Sequence, residues 1–440
     1  MDRNKEDPVS VKVIKKIGFF GDNTSLSGVP YVLSMKPLPT FKRLFWFSML
    51  LVCCFGSTAV LKATLGLYTE DAVNYSVETN YLEWETPFPA VTICEANDPG
   101  DRIKEYLNVT GLTQKYSAFL KDVLYWNSKH CSKCVNCKMN LTCIPNYLEL
   151  IDKIRWNCTQ MLTDCWWADE YFSCCDRFRP TRTEYGLCYV FNSKLTNEGK
   201  VITVNRRIGL PSLLFSAAKP VIIKIHSPDD MVSVALENAL SSCTSLPLVN
   251  DFEASLRVEQ TITDVAVQSI SPVSRDCLFS HEVPSFAQHW PFKKYSYSAC
   301  VLYCRAKAQT DVCNCTHHYM PNIGDFPTCN ISGLACLHLN SDSLIVEGSE
   351  CPMECDNVVY TTIQTSCFRH TGKLHPSLVH RGTRGSVKLG QLPTLRVRRH
   401  AIRDMLGLVV DFGGVVGVFF GASLLSVLEI VYLLCIRGDR

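Results

Sequence analysis

The sequence predicts a membrane protein with two transmembrane helices and a large disulfide-rich α+β ectodomain between them. Two long apolar segments lie near the two ends of the 440 residues, and 21 of the 24 cysteines lie between these segments. Cysteines that concentrate in one stretch indicate an oxidising compartment, where disulfides form and persist. We therefore expect a cytoplasmic N-terminus (residues 1–43), helices at residues 44–66 and 405–436, an extracellular domain (67–404) and a cytoplasmic tail (437–440).

The first apolar segment, residues 44–61, contains eighteen uncharged residues, which is about the minimum for a helix that crosses a bilayer. It begins too far along the chain for a cleaved signal peptide. Lys42 and Arg43 precede it, and this positive flank predicts a cytoplasmic N-terminus. Two buried helices in a soluble protein are the alternative. The N-glycosylation sequons of the intervening region speak against it: Asn74, Asn108, Asn140, Asn157, Asn314 and Asn330.

The cysteine spacings predict local structure within the ectodomain. The spacing C-x-x-C-x-x-C at residues 131–137 also occurs in zinc sites, but the many other extracellular cysteines favour disulfides, and we expect no metal or cofactor. Residues 296–310 predict a helix with Cys300 and Cys304 on one face, within reach of one neighbouring segment. Because 21 is an odd number, at least one outer cysteine is unpaired or joins another chain. Residues 190–275 contain one cysteine and predict strands.

The second apolar segment, residues 405–436, carries two acids, Asp411 and Glu429. In an unbroken helix their separation of 18 residues is five whole turns and about 27 Å, so both would lie on one face near opposite membrane surfaces. A carboxylate that faces lipid is costly, so this face predicts an aqueous path or a protein partner. Acid rings supplied by several subunits attract cations. A packed helix pair is the alternative, because Gly413, Gly417 and Gly421 recur every four residues.

The composition gives no support for two other function classes. The formal net charge is +2, from 44 basic and 42 acidic residues, so we expect no nucleic-acid partner. The sequence has no nucleophile elbow, phosphate-binding loop or H-E-x-x-H motif, so we expect no enzyme.

Four strings of the sequence resemble signatures of the degenerin/epithelial sodium channel family. They are PFPAVTIC (87–94), FRPTRTEYGLCYVFN (178–192), CPMECDNVVY (351–360) and DFGGVVGVFFGASLLSVLEIVY (411–432), which follow in family order. The double cysteine in DCWWADEYFSCCDRF, together with CPMEC, is most similar to the insect pickpocket branch.

The resemblance implies a trimeric channel whose subunits have a hand-like ectodomain of palm, knuckle, finger and thumb. It implies a pore-forming subunit of a sodium-selective, amiloride-sensitive, voltage-insensitive cation channel of the plasma membrane, in a homotrimer or a heterotrimer with related subunits. The selectivity filter would be Gly421, Ala422 and Ser423, at an interruption of the second membrane helix, with Asp411 at the outer mouth and Glu429 on the inner side. The alternatives are a modulatory, non-conducting subunit and an anchored ectodomain receptor.

Two gating positions depart from the family pattern. The cytoplasmic His-Gly motif of the family corresponds here to Ser27 and Gly28. The position before the outer acid, which is usually small, is Val410, and bulky residues there favour the open state in the family. We therefore expect an unusually high open probability.

The resemblance also implies five disulfides and one departure. The family cysteine two residues before the position of Cys351 is Ser349 here, so the usual partner of Cys304 is missing and Cys367 is the expected substitute. Spacing alone does not fix connectivity. The implied pairs are Cys94–Cys188, Cys277–Cys355, Cys300–Cys351, Cys313–Cys336 and Cys315–Cys329.

Overall fold

The computed structural model describes residues 17–69, 72–96, 100–124, 131–137, 142–196, 200–240, 242–246, 250–287, 289–320, 326–344, 351–369, 382–402 and 405–433. These residues form two compact units. The first unit contains the described parts of residues 1–75, 264–275 and 399–440, and the second contains those of residues 76–263 and 276–398. The expected cytoplasmic tail, residues 437–440, and the sequon at Asn140 lie outside the described residues.

Helices occur in both units, and residues 17–23 are also helical. They are α1 (Val29–Leu33), α2 (Thr40–Thr69), α3 (Gly100–Thr110), α4 (Ser117–Leu124), α5 (Tyr147–Ile154), α6 (Cys158–Met161), α7 (Cys174–Arg177), α8 (Pro272–Arg275), α9 (Tyr297–Cys313), α10 (Ile331–Leu339), α11 (Met405–Phe420) and α12 (Leu424–Val431).

Strands occur from residue 73 onward. They are β1 (Val73–Glu78), β2 (Thr86–Pro87), β3 (Ala90–Glu95), β4 (Leu162–Trp167), β5 (Glu170–Phe172), β6 (Arg179–Thr183), β7 (Gly186–Phe191), β8 (Thr203–Val204), β9 (Ser212–Ala217), β10 (Val221–His226), β11 (Ser245–Leu246), β12 (Asn250–Thr263), β13 (Asn357–Arg369), β14 (Thr383–Leu389) and β15 (Arg396–Ala401).

Most strands of two main sheets lie in the second unit. The larger sheet has the order β1-β15-β12-β14-β9-β4-β5, with β13 also paired to β12, and the smaller has the order β11-β10-β3-β7-β6. Strands β12 and β14 are parallel, and Arg384 of β14 binds Asp251 of β12 through two buried hydrogen bonds of 2.8 and 2.6 Å. Side chains from both sheets, among them Phe191 and Phe252, form one buried cluster. Burial of these large apolar side chains holds the two sheets together.

A helical region of the second unit forms a separate core. Side chains of α3, α4, α5 and α10, including Leu107 and Tyr147, pack with buried cysteines. The C-x-x-C-x-x-C run supplies two disulfides to this core, Cys131–Cys134 and Cys137–Cys143. The disulfides expected at this spacing are therefore present.

The predicted strands and the predicted cysteine-bearing helix are confirmed. Strands β8 to β12 lie between residues 203 and 263. Helix α9 begins after Ser296, whose hydroxyl oxygen accepts a hydrogen bond from the Ala299 N–H, and it ends at Asn314 in a left-handed conformation. A serine cap and a left-handed asparagine are common helix boundaries.

Ten disulfides join twenty of the 21 outer cysteines, and five of them are the pairs that the resemblance implies. Cys94 and Cys188 lie directly opposite each other on β3 and β7, with Cα atoms 4.4 Å apart. The remaining five pairs are Cys131–Cys134, Cys137–Cys143, Cys158–Cys175, Cys165–Cys174 and Cys243–Cys367.

The expected bond between Cys304 and Cys367 is wrong. Cys367 is joined to Cys243, and Cys304 is the one outer cysteine that forms no disulfide. The reason is the length of β13. Cys351, which is bonded to the helix of Cys304, and Cys355, the partner of Cys277, both precede this strand. At about 3.3 Å per residue the strand carries Cys367 about 40 Å along the chain from Cys355, and so away from that helix.

The described sequons all have exposed asparagines. Glycosylation at these positions remains a prediction, and the exposed residues are Asn74, Asn108, Asn157, Asn314 and Asn330.

Candidate functional site

The second apolar segment is interrupted at residues 421–423. Helix α11 ends at Phe420, helix α12 begins at Leu424, and the two are bent by 76°. The alignment of Asp411 and Glu429 over five turns, which requires an unbroken helix, therefore does not occur. The two acids lie on different helices, and the break falls at the three residues that the resemblance implies as the filter.

Local sequence explains this interruption. Gly421 has φ +62°, a left-handed conformation that glycine adopts readily, and its N–H donates to Gly417 O at 2.8 Å to close the last turn of α11. Ser423 is extended and caps α12: its hydroxyl oxygen accepts from Ser426 N–H, while Ser426 Oγ accepts from Ser423 N–H at 3.2 Å. A helix stop and a helix start thus follow each other within three residues.

The segment of residues 25–28, before α1, lies against this break. Ser27 N–H donates to Phe420 O at 3.0 Å, which satisfies a carbonyl at the end of α11. Ser25 donates twice to Glu429 Oε2, from its N–H at 3.2 Å and from its hydroxyl at 2.5 Å. The Ser25 and Ser426 hydroxyl oxygens are 3.1 Å apart. The structure therefore brings Ser27 of the implied gating motif to the implied filter, and it gives Glu429 a hydrogen-bonding partner.

Contacts with α2 hold the chain from Gly28 to residue 36. Gly28 has φ +86°, and a Cβ atom there would lie 3.3 to 3.4 Å from Leu50 and Trp46 of α2. The Tyr31 ring stacks on Trp46 with centroids 4.8 Å apart. Arg43 Nη2 donates to the backbone carbonyls of residues 34 and 36, both at 2.9 Å. The glycine of the Ser27-Gly28 pair is thus required by both its backbone angle and its close approach to α2.

Helices α2 and α11 also pack together near the break. A Cβ atom at Gly56 would lie 2.7 Å from the Phe419 ring, so the absence of a side chain at residue 56 makes room for that ring. Asp411 and Val410 lie farther along α11. At 1.5 Å per residue they are about 15 Å from Gly421, so the structure does not bring them to the break. Val410 is exposed.

Sequence reasoning missed two residues of this site, Ser25 and Ser426. Ser426 is buried and takes part in the cap of α12. The spacing Ser-x-x-Ser from residue 423, ahead of an apolar run, resembles a capping box and could have indicated a helix start there. No comparable signal marks Ser25, because its partners lie about 400 residues away in the sequence.

By length and composition, residues 40–66 of α2 form the one described helix that could cross a membrane alone. The bent pair of residues 406–420 and 424–431 counts as a second candidate if both halves belong to one span.

A second candidate site is a cavity of about 590 Å³ in the second unit, lined by three carboxylates, those of Asp230, Glu237 and Glu354. Burial, and then the charge of Glu354, raise the pKa of Asp230 to about 7, although a hydrogen bond from Ser298 opposes this shift. Burial also raises the pKa of Glu354. His226 lines the same cavity, and burial lowers its pKa to about 4, so it is neutral at pH 7 and does not offset the acids.

The family comparison covers both candidate sites. The amiloride-sensitive sodium channel family matches residues 20–433. The chain belongs to this family. The recognition made from the four signature strings is therefore confirmed, and a channel family is consistent with the expectation that the chain is not an enzyme.

Named relatives include insect and vertebrate channels. The chain is 27% identical over 322 residues to "Sodium channel protein Nach" of Drosophila virilis, an alignment that covers 67% of this chain and 79% of the relative. It is 21% identical to "Pickpocket protein 19" of Drosophila melanogaster, covering 98% and 93% of the two chains. It is 24% identical to "Acid-sensing ion channel 1" of Gallus gallus, covering 98% and 86%.

The contact between Ser27 and Gly421 predicts a coupled effect of substitution. In Gly421→Ala the new Cβ would lie 2.6 Å from Ser27 Oγ, and the left-handed backbone adds about 1–2 kcal/mol of strain. We expect Gly421→Ala to reduce amiloride-blocked current per surface channel at least severalfold. Adding Ser27→Ala removes the clash but not the strain, so it should restore part of that current.

The control for this pair is Ser48→Ala combined with Gly421→Ala. Ser48 is exposed on α2 and donates to Phe45 O of its own helix, so its loss should restore nothing. Equal currents from Gly421→Ala with and without Ser27→Ala would contradict the coupling.

The raised pKa of Asp230 predicts a pH-dependent stability. Because its folded-state pKa of about 7 exceeds its ordinary value of 3.8, this group contributes stability below about pH 4 that is lost as the pH rises through 7. Asp230→Asn should therefore raise the Tm at pH 8 and should have no effect at pH 4. The gain in the free energy of unfolding at pH 8 is on the order of 1.4 kcal/mol for each unit by which folding raises the pKa. Thermal unfolding of the detergent-solubilised chain measures this. Asp229→Asn is the control, because that carboxylate pairs with Lys194 and should yield no gain at pH 8.

Proposed function

We propose that the chain is a pore-forming subunit of a trimeric, sodium-selective, amiloride-sensitive and voltage-insensitive cation channel of the plasma membrane. The observation that carries this proposal is the break between α11 and α12 at Gly421, Ala422 and Ser423. A helix that only anchors a domain gains nothing from such a break, because it leaves backbone groups without helical partners in apolar surroundings. Irregular backbone at membrane depth is tolerated where it lines a water-filled path.

The residue types at the break suit a cation filter. Small side chains at residues 421–423 let backbones of neighbouring subunits approach closely. Backbone carbonyls and the hydroxyl of the exposed Ser423, which also caps α12, then replace part of the hydration shell of sodium. Asp411 lies at the outer mouth and Glu429 on the inner side, each attracting cations to its own end of the path.

The contacts of residues 25–28 support two membrane crossings with both termini in the cytoplasm. These residues precede α2, and they bond to Ser426 and Glu429 of α12, near the end of the chain. Segments before the first crossing and after the break can meet only if they lie on the same side of the membrane. An even number of crossings has this result, and the positive flank of α2 assigns that side to the cytoplasm.

The surfaces that one chain leaves open support assembly with other subunits, as in the proposed trimer. One chain supplies two spans, which cannot enclose a pore. Cβ atoms at Gly413 and Gly414 would have no described neighbour within 4 Å, and Val418 on the same helix is exposed. Neighbouring copies, or related subunits, cover this face through close helix contacts at the glycines.

The decisive experiment is whole-cell recording from oocytes that express the chain alone. We expect a standing inward current that disappears when external sodium is replaced by a large impermeant cation or when amiloride is added. Ser423→Ala should lower the sodium-to-potassium permeability ratio severalfold, because it removes one filter oxygen. The matched control, Ser48→Ala, removes an exposed hydroxyl from α2 and should leave the ratio unchanged.

Silence with confirmed surface protein would oppose a conducting homotrimer and lead to co-expression with a related subunit. A heteromeric current whose selectivity changes with Ser423→Ala would support a pore-forming role in a heterotrimer. A current that changes in size but not in selectivity would instead support the modulatory subunit. Normal surface expression without any effect on a co-expressed channel would support the anchored receptor.

Val410 sets the expected gating bias. It is a bulky, exposed residue beside the outer acid, so we propose that it favours the open state of the assembled channel. Val410→Gly should shorten mean open time severalfold in single-channel recordings. An unchanged open time would contradict this role. Val409→Gly is the matched control, because Val409 is an equally exposed neighbour on α11 that is not adjacent to Asp411.

A further inference from the structure

Three sulfur atoms of the second unit lie unusually close together. Cys300 and Cys304 are one turn apart on α9, and Cys351 faces both. Cys300 and Cys351 form a disulfide, with Cα atoms 5.9 Å apart. Cys304 Sγ lies 3.9 Å from Cys351 Sγ, and the three sulfur atoms all lie within 4.8 Å of one another. A thiol is thus in van der Waals contact with a disulfide.

The surroundings hold Cys351 opposite this turn of α9. Tyr295 donates its hydroxyl hydrogen to Pro352 O, immediately after Cys351. Glu354 Oε1 accepts from Tyr297 N–H at 2.6 Å at the start of α9. Cys300 and Cys351 are buried in an apolar cluster, and Cys304 is half-buried at its edge. Cys351 is therefore kept within reach of either cysteine of the helix.

We propose that Cys304 is an exchange thiol, so that Cys351 alternates between a disulfide with Cys300 and a disulfide with Cys304. The Cys304 thiol first loses its proton, and its thiolate attacks Cys351 Sγ. The Cys304–Cys351 bond forms as the Cys300–Cys351 bond breaks, and its electron pair leaves on Cys300 Sγ, which takes up a proton. One thiol and one disulfide exist before and after the step, so it requires no oxidant or reductant.

The geometry defines what must move. Thiol–disulfide exchange places the attacking sulfur on the extension of the bond that breaks, where its distance from the leaving sulfur would be about 6 Å. Cys304 Sγ is within 4.8 Å of Cys300 Sγ, so it lies beside the Cys300–Cys351 bond and not on the extension of that bond. A rotation of the Cys304 side chain, with a small shift of Cys351, has to precede exchange.

Exchange would change the connection between α9 and β13. It transfers the attachment of Cys351 by one helical turn, about 6 Å, toward the C-terminal end of α9. Cys351 lies four residues before Cys355, and β13 begins at Asn357. The step therefore offers two covalent registers between a helix and a strand of the larger sheet. This inference does not depend on ion conduction.

Acid trapping of the wild-type full-length chain tests the proposal directly. Membranes holding the chain are incubated at pH 8.5, where the thiolate is available, then quenched in acid, and the unfolded protein is alkylated under acidic conditions that stop exchange. Residues 295–305 form one tryptic peptide that contains both cysteines, and its fragment spectrum locates the label. We expect label on Cys304 in one population and on Cys300 in the other. Label confined to Cys304 at every incubation time would overturn the proposal.

Two variants serve as controls. In Cys304→Ser the attacking thiol is absent, so Cys300 should remain unlabelled. Label on Cys300 in this variant would show that the wild-type signal has another origin, and it would count against the proposal. In Cys300→Ser we expect Cys351 to form a disulfide with Cys304 and both to resist alkylation. Alkylation of both, in surface protein whose other nine disulfides map as in the wild type, would show that Cys304 cannot reach Cys351.

Discussion

The organisation of the first unit depends on satisfying the backbone groups exposed where α11 stops and α12 starts. A helix end leaves carbonyl and N–H groups without intrahelical partners, and apolar surroundings offer no water to replace them. Phe420 O receives the N–H of Ser27, and the N–H groups of Ser423 and Ser426 are bonded by the two serine hydroxyls. The break is therefore satisfied partly by its own serines and partly by Ser27 of the segment beside it.

This dependence ties the implied gating motif to the implied filter within one chain. A change at Ser27 alters a hydrogen-bonding partner of the break, and a change at Gly421 meets the Ser27 hydroxyl. The resemblance implies a histidine, a larger side chain, at the position of Ser27. The contact to Phe420 does not depend on the side chain, since the Ser27 N–H donates that bond. Glu429 shares the arrangement through Ser25, so the inner acid is held by the same segment.

In the second unit, disulfides and sheet packing have complementary roles. The two sheets share one apolar core, whereas the small helices around Tyr147 combine a modest core with several disulfides. Small helical regions bury too little apolar surface to be stable alone, and covalent links compensate for this. Cys304 lies as a thiol beside the Cys300–Cys351 disulfide, and the proposed exchange would give this structural link two registers.

The sequence by itself determined the features that depend on local pattern: the apolar helix before residue 66, the cysteine-bearing helix α9, the strands of residues 203–263 and the odd count of outer cysteines. The four signature strings determined the family. Tertiary structure decided what links distant residues. It placed Cys367 with Cys243, because the length of β13 is not visible in spacing. It brought Ser27 to the break in the second apolar segment, where its N–H donates to Phe420 O about 400 residues away, and helical periodicity carries no information about such partners. Ser25 belongs to the site for the same reason.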